Sequence, residues 1–106
     1  MRLNQITIPR AYIEMFGGNY THAAVLSEIE NIAKTYPSGV FFPLAHEELA
    51  NWLFLTSDQV RYSLRAIKKQ VGGAVHTQVK KYNGTPTTHY VVDLGFLAKI
   101  KGESCQ

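Results

Sequence analysis

Cysteine is almost absent from this chain. The single thiol among its 106 residues is Cys105, which can neither close an internal disulfide nor supply a thiolate metal site by itself. Long apolar runs are missing as well: no stretch approaches the roughly 20 residues that cross a bilayer. The opening Met1-Arg2-Leu3-Asn4-Gln5 lacks the apolar segment of a secretory leader, so the expectation is a cytoplasmic protein with no membrane partner. Charge is sparse at 18% against 45% hydrophobic residues, which argues against a coiled coil or a solvating tail. No Ser/His/Asp or Cys/His set and no carboxylate pair suggests a catalytic centre, so neither an enzyme nor a cofactor is expected. His46-Glu47-Glu48-Leu49-Ala50 begins like a zinc-protease motif but has Ala50 where a second histidine must stand. His76 and His89 could share a hairpin face, but two ligands make at most a surface site, and no metal is expected. His22, near a helix start, reads as solvated, and Gly17-Gly18-Asn19 lacks the Lys-Ser/Thr of a phosphate loop.

What the chain does have is enough apolar residue for one core, and a single domain over 1–106 is expected, with an extension at 1–18, a core at 19–97 and a tail at 98–106. Its net charge of +3 is unevenly spread. Residues 1–55 carry three basic groups (Arg2, Arg10, Lys34) against five acids (Glu14, Glu28, Glu30, Glu47, Glu48); residues 56–89 carry six (Arg61, Arg65, Lys68, Lys69, Lys80, Lys81) against Asp58 alone. The positive charge therefore lies in one third of the chain, where an acidic partner would dock.

Pro9 suits the first turn of a short helix carrying Tyr12, Ile13 and Phe16 on one side, and Gly17-Gly18 stop it. Asn19 caps a longer helix over 20–36, whose buried stripe is Val25, Leu26, Ile29, Ile32, Ala33 and Tyr36, with Glu28, Glu30, Asn31 and Lys34 on the solvent side. Val40-Phe41-Phe42 reads as a brief edge strand closed by Pro43. A helix over 45–53 buries Leu49, Trp52 and Leu53 and exposes His46, Glu47, Glu48 and Asn51. Thr56 and Gln59 have capping-box spacing, so a further helix starts at Ser57 and runs to about Gln70, burying Val60, Leu64, Ile67 and Val71. After Gly72-Gly73 the pattern alternates, and Asn83-Gly84 makes a hairpin of residues 74–93 with a basic tip. Leu94, Phe96, Leu97 and Ile100 form an apolar stretch able to pack back on the core, and the chain from Gly102 is expected to fray.

Two helices across a tight turn, the second basic on its free side, followed at once by a basic hairpin, give an α+β fold of the winged helix-turn-helix kind: a three-helix core, a C-terminal β-hairpin wing and a short extra N-terminal helix. The chemistry implied is binding of double-stranded DNA, with the second helix of the pair in the major groove and the hairpin on phosphates or the neighbouring minor groove. The candidate contacts are Ser57, Asp58, Gln59, Arg61, Tyr62, Arg65, Lys68 and Lys69 on the helix, and Lys80, Lys81 and Asn83 on the hairpin. Arg61 is the best placed to read a base, as arginine is bidentate to guanine. Strand alternation sends Lys80 and Lys81 to opposite faces, and at least one should meet phosphate. About five phosphate contacts would give a salt slope near −4.5. The alternatives are a repressor of the same fold, or a winged helix turned to protein contact through an acidic face of Glu28, Glu30, Glu47 and Glu48.

The chain also resembles the N-terminal winged-helix domain of phage and prophage replication proteins of the replisome-organiser or initiator type. The likeness rests on Gly18-Asn19 with Ala24-Val25-Leu26, on residues 47–53 (Glu-Glu-Leu-Ala-Asn-Trp-Leu), on residues 56–64 (Thr-Ser-Asp-Gln-Val-Arg-Tyr-Ser-Leu), and on residues 83–93, together spanning roughly 6–97. It implies a role in replication initiation, with replication proteins or a second copy of the chain as further partners. Two positions depart from the pattern. Leu44-Ala45 offers no capping side chain where Ser or Thr is usual, and Phe54 stands at a turn position commonly held by Gly.

Overall fold

The computed structural model describes residues 8–102; the N-terminal seven residues and residues 103–106, and with them the expectation for Cys105, lie outside the described residues. Within them the chain is α+β, in the order α1 (Arg10–Met15), α2 (Tyr20–Ala33), β1 (Phe42–Pro43), α3 (His46–Leu53), α4 (Ser57–Val71), β2 (Val75–Tyr82), β3 (Thr85–Val92) and α5 (Leu94–Ile100). The strands form one antiparallel sheet in the order β1-β3-β2. Among the described residues no helix is long and apolar enough to cross a membrane.

Helix α2 is the hub, packed against α1, α3, α4 and β3. Its start is as the sequence implies: Asn19 accepts a hydrogen bond from the His22 amide at 3.0 Å, which satisfies one of the orphan donors of the first turn. Its end comes three residues early. The amides of Thr35 and Tyr36 bond carbonyls only three residues back, a tightened last turn, since Pro37 biases the preceding residue away from helical geometry. Tyr36 leaves the expected buried stripe and stacks on Phe42 with centroids 4.9 Å apart.

The expectation that Glu28 and Glu30 face solvent is overturned: both are buried. A single apolar stripe describes a helix with one covered side, whereas α2 has neighbours nearly all round. The Glu30 carboxylate accepts from the Tyr12 hydroxyl of α1 at 2.7 Å and from Lys101 Nζ, just after α5, at 2.6 Å. The chain beyond residue 97 is therefore not all tail. Asp93 caps α5 by accepting from the Phe96 amide, Leu97 is fully buried, and Lys101 is held against α2.

Helix α4 starts with the capping box in full, Gln59 N–H donating to Thr56 Oγ1 at 3.1 Å and Thr56 N–H to Gln59 Oε1 at 2.8 Å. Val60, Leu64, Ile67 and Val71 are buried as expected. The hairpin closes at Tyr82↔Thr85, so Asn83-Gly84 is a two-residue loop with φ of 53° and 80°, the double positive φ that matches the strands' right-handed twist. Strand β1 is shifted from the expected 40–42: Phe42 and Pro43 pair with Tyr90 and His89, and Val40 is exposed. Pro43 sits inside the strand because β1 is an edge and its missing donor has no partner to disappoint.

Helix α3 begins at Ala45 without a side-chain cap, and Glu47 and Glu48 in its first turn oppose the positive end of the helix dipole instead. Trp52 and Leu53 are half-buried against the core rather than within it. Phe54 takes a left-handed conformation, φ 58° and ψ 43°, with 91% of its surface exposed. A side chain there carries the left-handed strain of roughly 1–2 kcal/mol and returns almost no burial. Phe54→Gly, which relieves that strain but frees the unfolded chain, is expected to stabilise the fold by about 0.5–1 kcal/mol, read as a rise in the urea midpoint at constant m-value.

Candidate nucleic-acid interface

The outer surface of α4 divides into two flanks. Arg61, Arg65 and Lys68, at helical spacings of four and three, form one line that faces the hairpin. With Leu64 they wall a cleft of about 230 Å³ whose opposite side is Thr77, Val79 and Thr88 of β2 and β3, and His46 of α3 also lines it. Tyr62 and Lys69, seven residues apart, fall outside this cleft. Tyr62 leans on His22 of α2, ring centroids 5.2 Å apart, with most of its surface still open.

The first turn of α4 is partly committed to itself. Gln59 holds the cap through its side-chain carbonyl, and Asp58 pairs with Arg61 at 2.7 Å on the surface. Ser57 is half-buried, while Asp58, Gln59, Arg65, Lys68 and Lys69 are exposed. On the hairpin, Lys81 shares the strand face of Thr77 and Val79, the face turned toward α4. Lys80 is on the reverse face, its ammonium 5.5 Å from the centre of the Phe41 ring. Asn83 is exposed at the tip, where its backbone makes the turn. The structure thus brings Arg61, Arg65, Lys68 and the Lys81 side of the hairpin to one surface and takes Lys80 away from it.

Three histidines differ from their expected settings. His22 is buried, not solvated: Nδ1 meets the Ser63 hydroxyl at 2.8 Å, Phe16 packs edge-on at 5.5 Å, and burial lowers its pKa from the ordinary value. His89 does share a register face with His76, but it is buried, donating from Nδ1 to the Thr87 carbonyl at 3.0 Å with Tyr82 edge-on. No group of three or more potential metal ligands gathers among the described residues. His46, expected in solvent, is partly covered, and its Nε2 is buried with no hydrogen-bond partner. Burial lowers the His46 pKa, Arg61 and then Lys68 lower it further, and Glu47 opposes them.

His46, Thr77 and Thr88 are the site residues that the sequence reading missed. A signal was present in the alternation: the face bearing Val75 should turn to the core, yet it becomes polar at Thr77 on its way to the tip. A polar inward position beside a basic helix marks a cleft rather than a packed seam. No family model matches the chain, and neither the curated proteins nor the solved structures contain a match to it.

Proposed function

We propose that this chain is a winged helix-turn-helix module that binds double-stranded DNA with sequence preference, in phage- or plasmid-type replication initiation in the cytoplasm. One observation carries the DNA-binding part of the reading: the line of Arg61, Arg65 and Lys68 on an exposed helix flank, beside a hairpin that adds Lys81 on the same side. An α-helix fits the major groove, arginine presents a bidentate donor pair to guanine, and lysine meets phosphate as a point charge. The replication role rests on the resemblance of the sequence segments alone. The protein-contact alternative is weakened, because two carboxylates of its acidic face, Glu28 and Glu30, are buried.

Arg61, in the first turns of α4 and already oriented by Asp58, is the base-reading candidate. Arg61→Ala should cost about 1–3 kcal/mol on the preferred site and relax sequence preference, measured by competition between that site and random duplex. An equal loss on every sequence would reduce Arg61 to a phosphate contact. No binding of any duplex above background at low salt would sink the DNA-binding reading itself.

A further inference from the structure

The cleft between α4 and the hairpin is more than the gap between two DNA-facing elements. Three cationic side chains, Arg61, Arg65 and Lys68, line it from α4, and two threonine hydroxyl positions, Thr77 and Thr88, line it from the sheet. At about 230 Å³ it has room for a tetrahedral anion and several waters. The third element, α3, contributes His46, whose Nε2 is withdrawn from solvent and bonded to nothing. A buried ring nitrogen without a partner is costly, and native proteins keep such groups where something else completes them.

Resting on the DNA-binding reading above, we propose that this cleft seats one phosphate group, held by Arg65 and Lys68 of α4, with the His46 ring of α3 turning to bring its covered Nε2 onto the anion. The expected source is a phosphodiester of the duplex backbone; free phosphate is the same chemistry from solution. Binding then couples to protonation. In the free protein the neutral imidazole is favoured, since burial and the neighbouring Arg61 and Lys68 disfavour its charge while Glu47 only partly offsets them; Thr77, Val79 and Thr88 on the sheet side are uncharged. An anion in the cleft reverses the balance, because an opposite charge at contact favours the imidazolium, which donates to a phosphate oxygen. The complex therefore takes up a proton that the free protein does not hold. The sign follows from linkage: phosphate affinity rises as pH falls from above the ordinary histidine value toward the lowered value of free His46, and is level above that window.

The test is an NMR titration of the four imidazoles of the intact chain in three samples: free, with inorganic phosphate, and with a short duplex. Their signals are assigned by single His→Gln variants. The proposal expects the His46 midpoint to move upward in both ligand samples. It also expects duplex affinity to rise at least about threefold more between pH 8 and 5.5 in the native chain than in His46→Gln. If the duplex binds and the His46 midpoint does not move, the phosphate site is wrong and the DNA reading stands. If no duplex binds, the DNA reading fails, and the phosphate sample decides the cleft: an upward move of His46 supports an anion site of another use, and no move overturns it. The His46 signal in the native chain carries the answer even where His46→Gln folds poorly.

Discussion

Glu30→Ala is expected to destabilise the fold by about 3–5 kcal/mol. Glu30 is a charged residue on the central helix with 3% of its surface exposed, and its two oxygens are used by different elements. Oε1 accepts from Tyr12 of α1, itself fully buried, at 2.7 Å; Oε2 accepts from Lys101 beyond α5 at 2.6 Å. Alanine removes the counter-charge from a lysine side chain that is only 10% exposed, strips a hydroxyl of its acceptor, and opens a void between three helices. A loss of that size in a chain of about 100 residues corresponds to a fall in Tm of roughly 15–30 °C. Lys34 gives the internal contrast: it approaches the same carboxylate at 4.0 Å from a side chain 55% exposed, and Lys34→Ala should be nearly silent. Replacing the pair together, Glu30→Met with Lys101→Met, should recover much of the loss, because an apolar pair needs no partner there. Calorimetry on the three variants checks all of this, and a cost for Glu30→Ala below about 1 kcal/mol would mean that the network does not tie the terminal helices to the core.

Why Glu30 was read as a solvent residue shows where sequence patterns lose force. Periodicity reports which residues share a side of a helix, and on α4, which has one covered side, it placed Val60, Leu64, Ile67 and Val71 correctly. On α2 the same method found the apolar stripe but could not reveal that α1 and the end of α5 cover another side. Covering elements are a tertiary fact. Local chemistry was legible where it is decided within four residues: the Asn19 cap, the Thr56–Gln59 box and the Asn83-Gly84 turn all formed as read. Strand β1 was legible only to within two residues, since its length and register are set by pairing with β3, some fifty positions away.

The site was legible by composition and not by geometry. Arg61, Arg65 and Lys68 stood out because six of the eleven basic groups lie within residues 56–89, and the helical pattern already put them outside the buried stripe. His46 could not be singled out from its own helix, where it precedes two glutamates and looks solvated. Its environment is made by α4 and the hairpin, both later in the chain. His22 was lost for the same reason: Ser63, its partner, is 41 residues away.

The same geometry decides the salt dependence of duplex binding. Counting five cations with Lys80 and Lys81 together gives a slope of affinity against salt near −4.5 on logarithmic axes. Lys80, however, sits over Phe41 on the reverse face of the hairpin, which leaves Arg65, Lys68, Lys69 and Lys81 for phosphate and Arg61 for a base. Arg65 and Lys68 share one phosphate in the cleft, so three phosphates at about 0.9 each give a slope near −2.7, and raising salt from 50 to 200 mM should weaken native binding roughly 40-fold. The triple change Arg65→Ala, Lys68→Ala and Lys81→Ala leaves one contact and a slope near −0.9, a loss of only about 3.5-fold over the same range. Measured at pH 8, above the ordinary histidine range, the comparison keeps the contribution of His46 protonation small. Binding of the triple variant at 50 mM should be far weaker on specific and random duplexes alike, with the ratio between them nearly kept, because phosphate contacts position the module while base contacts select the site. Lys80→Ala should leave the slope where it is. If Lys80→Ala lowered it by about one unit and Lys81→Ala did not, the reverse face of the hairpin would be the one on DNA; if the triple variant kept the native slope, phosphate contact would have to be taken from the α4 flank altogether.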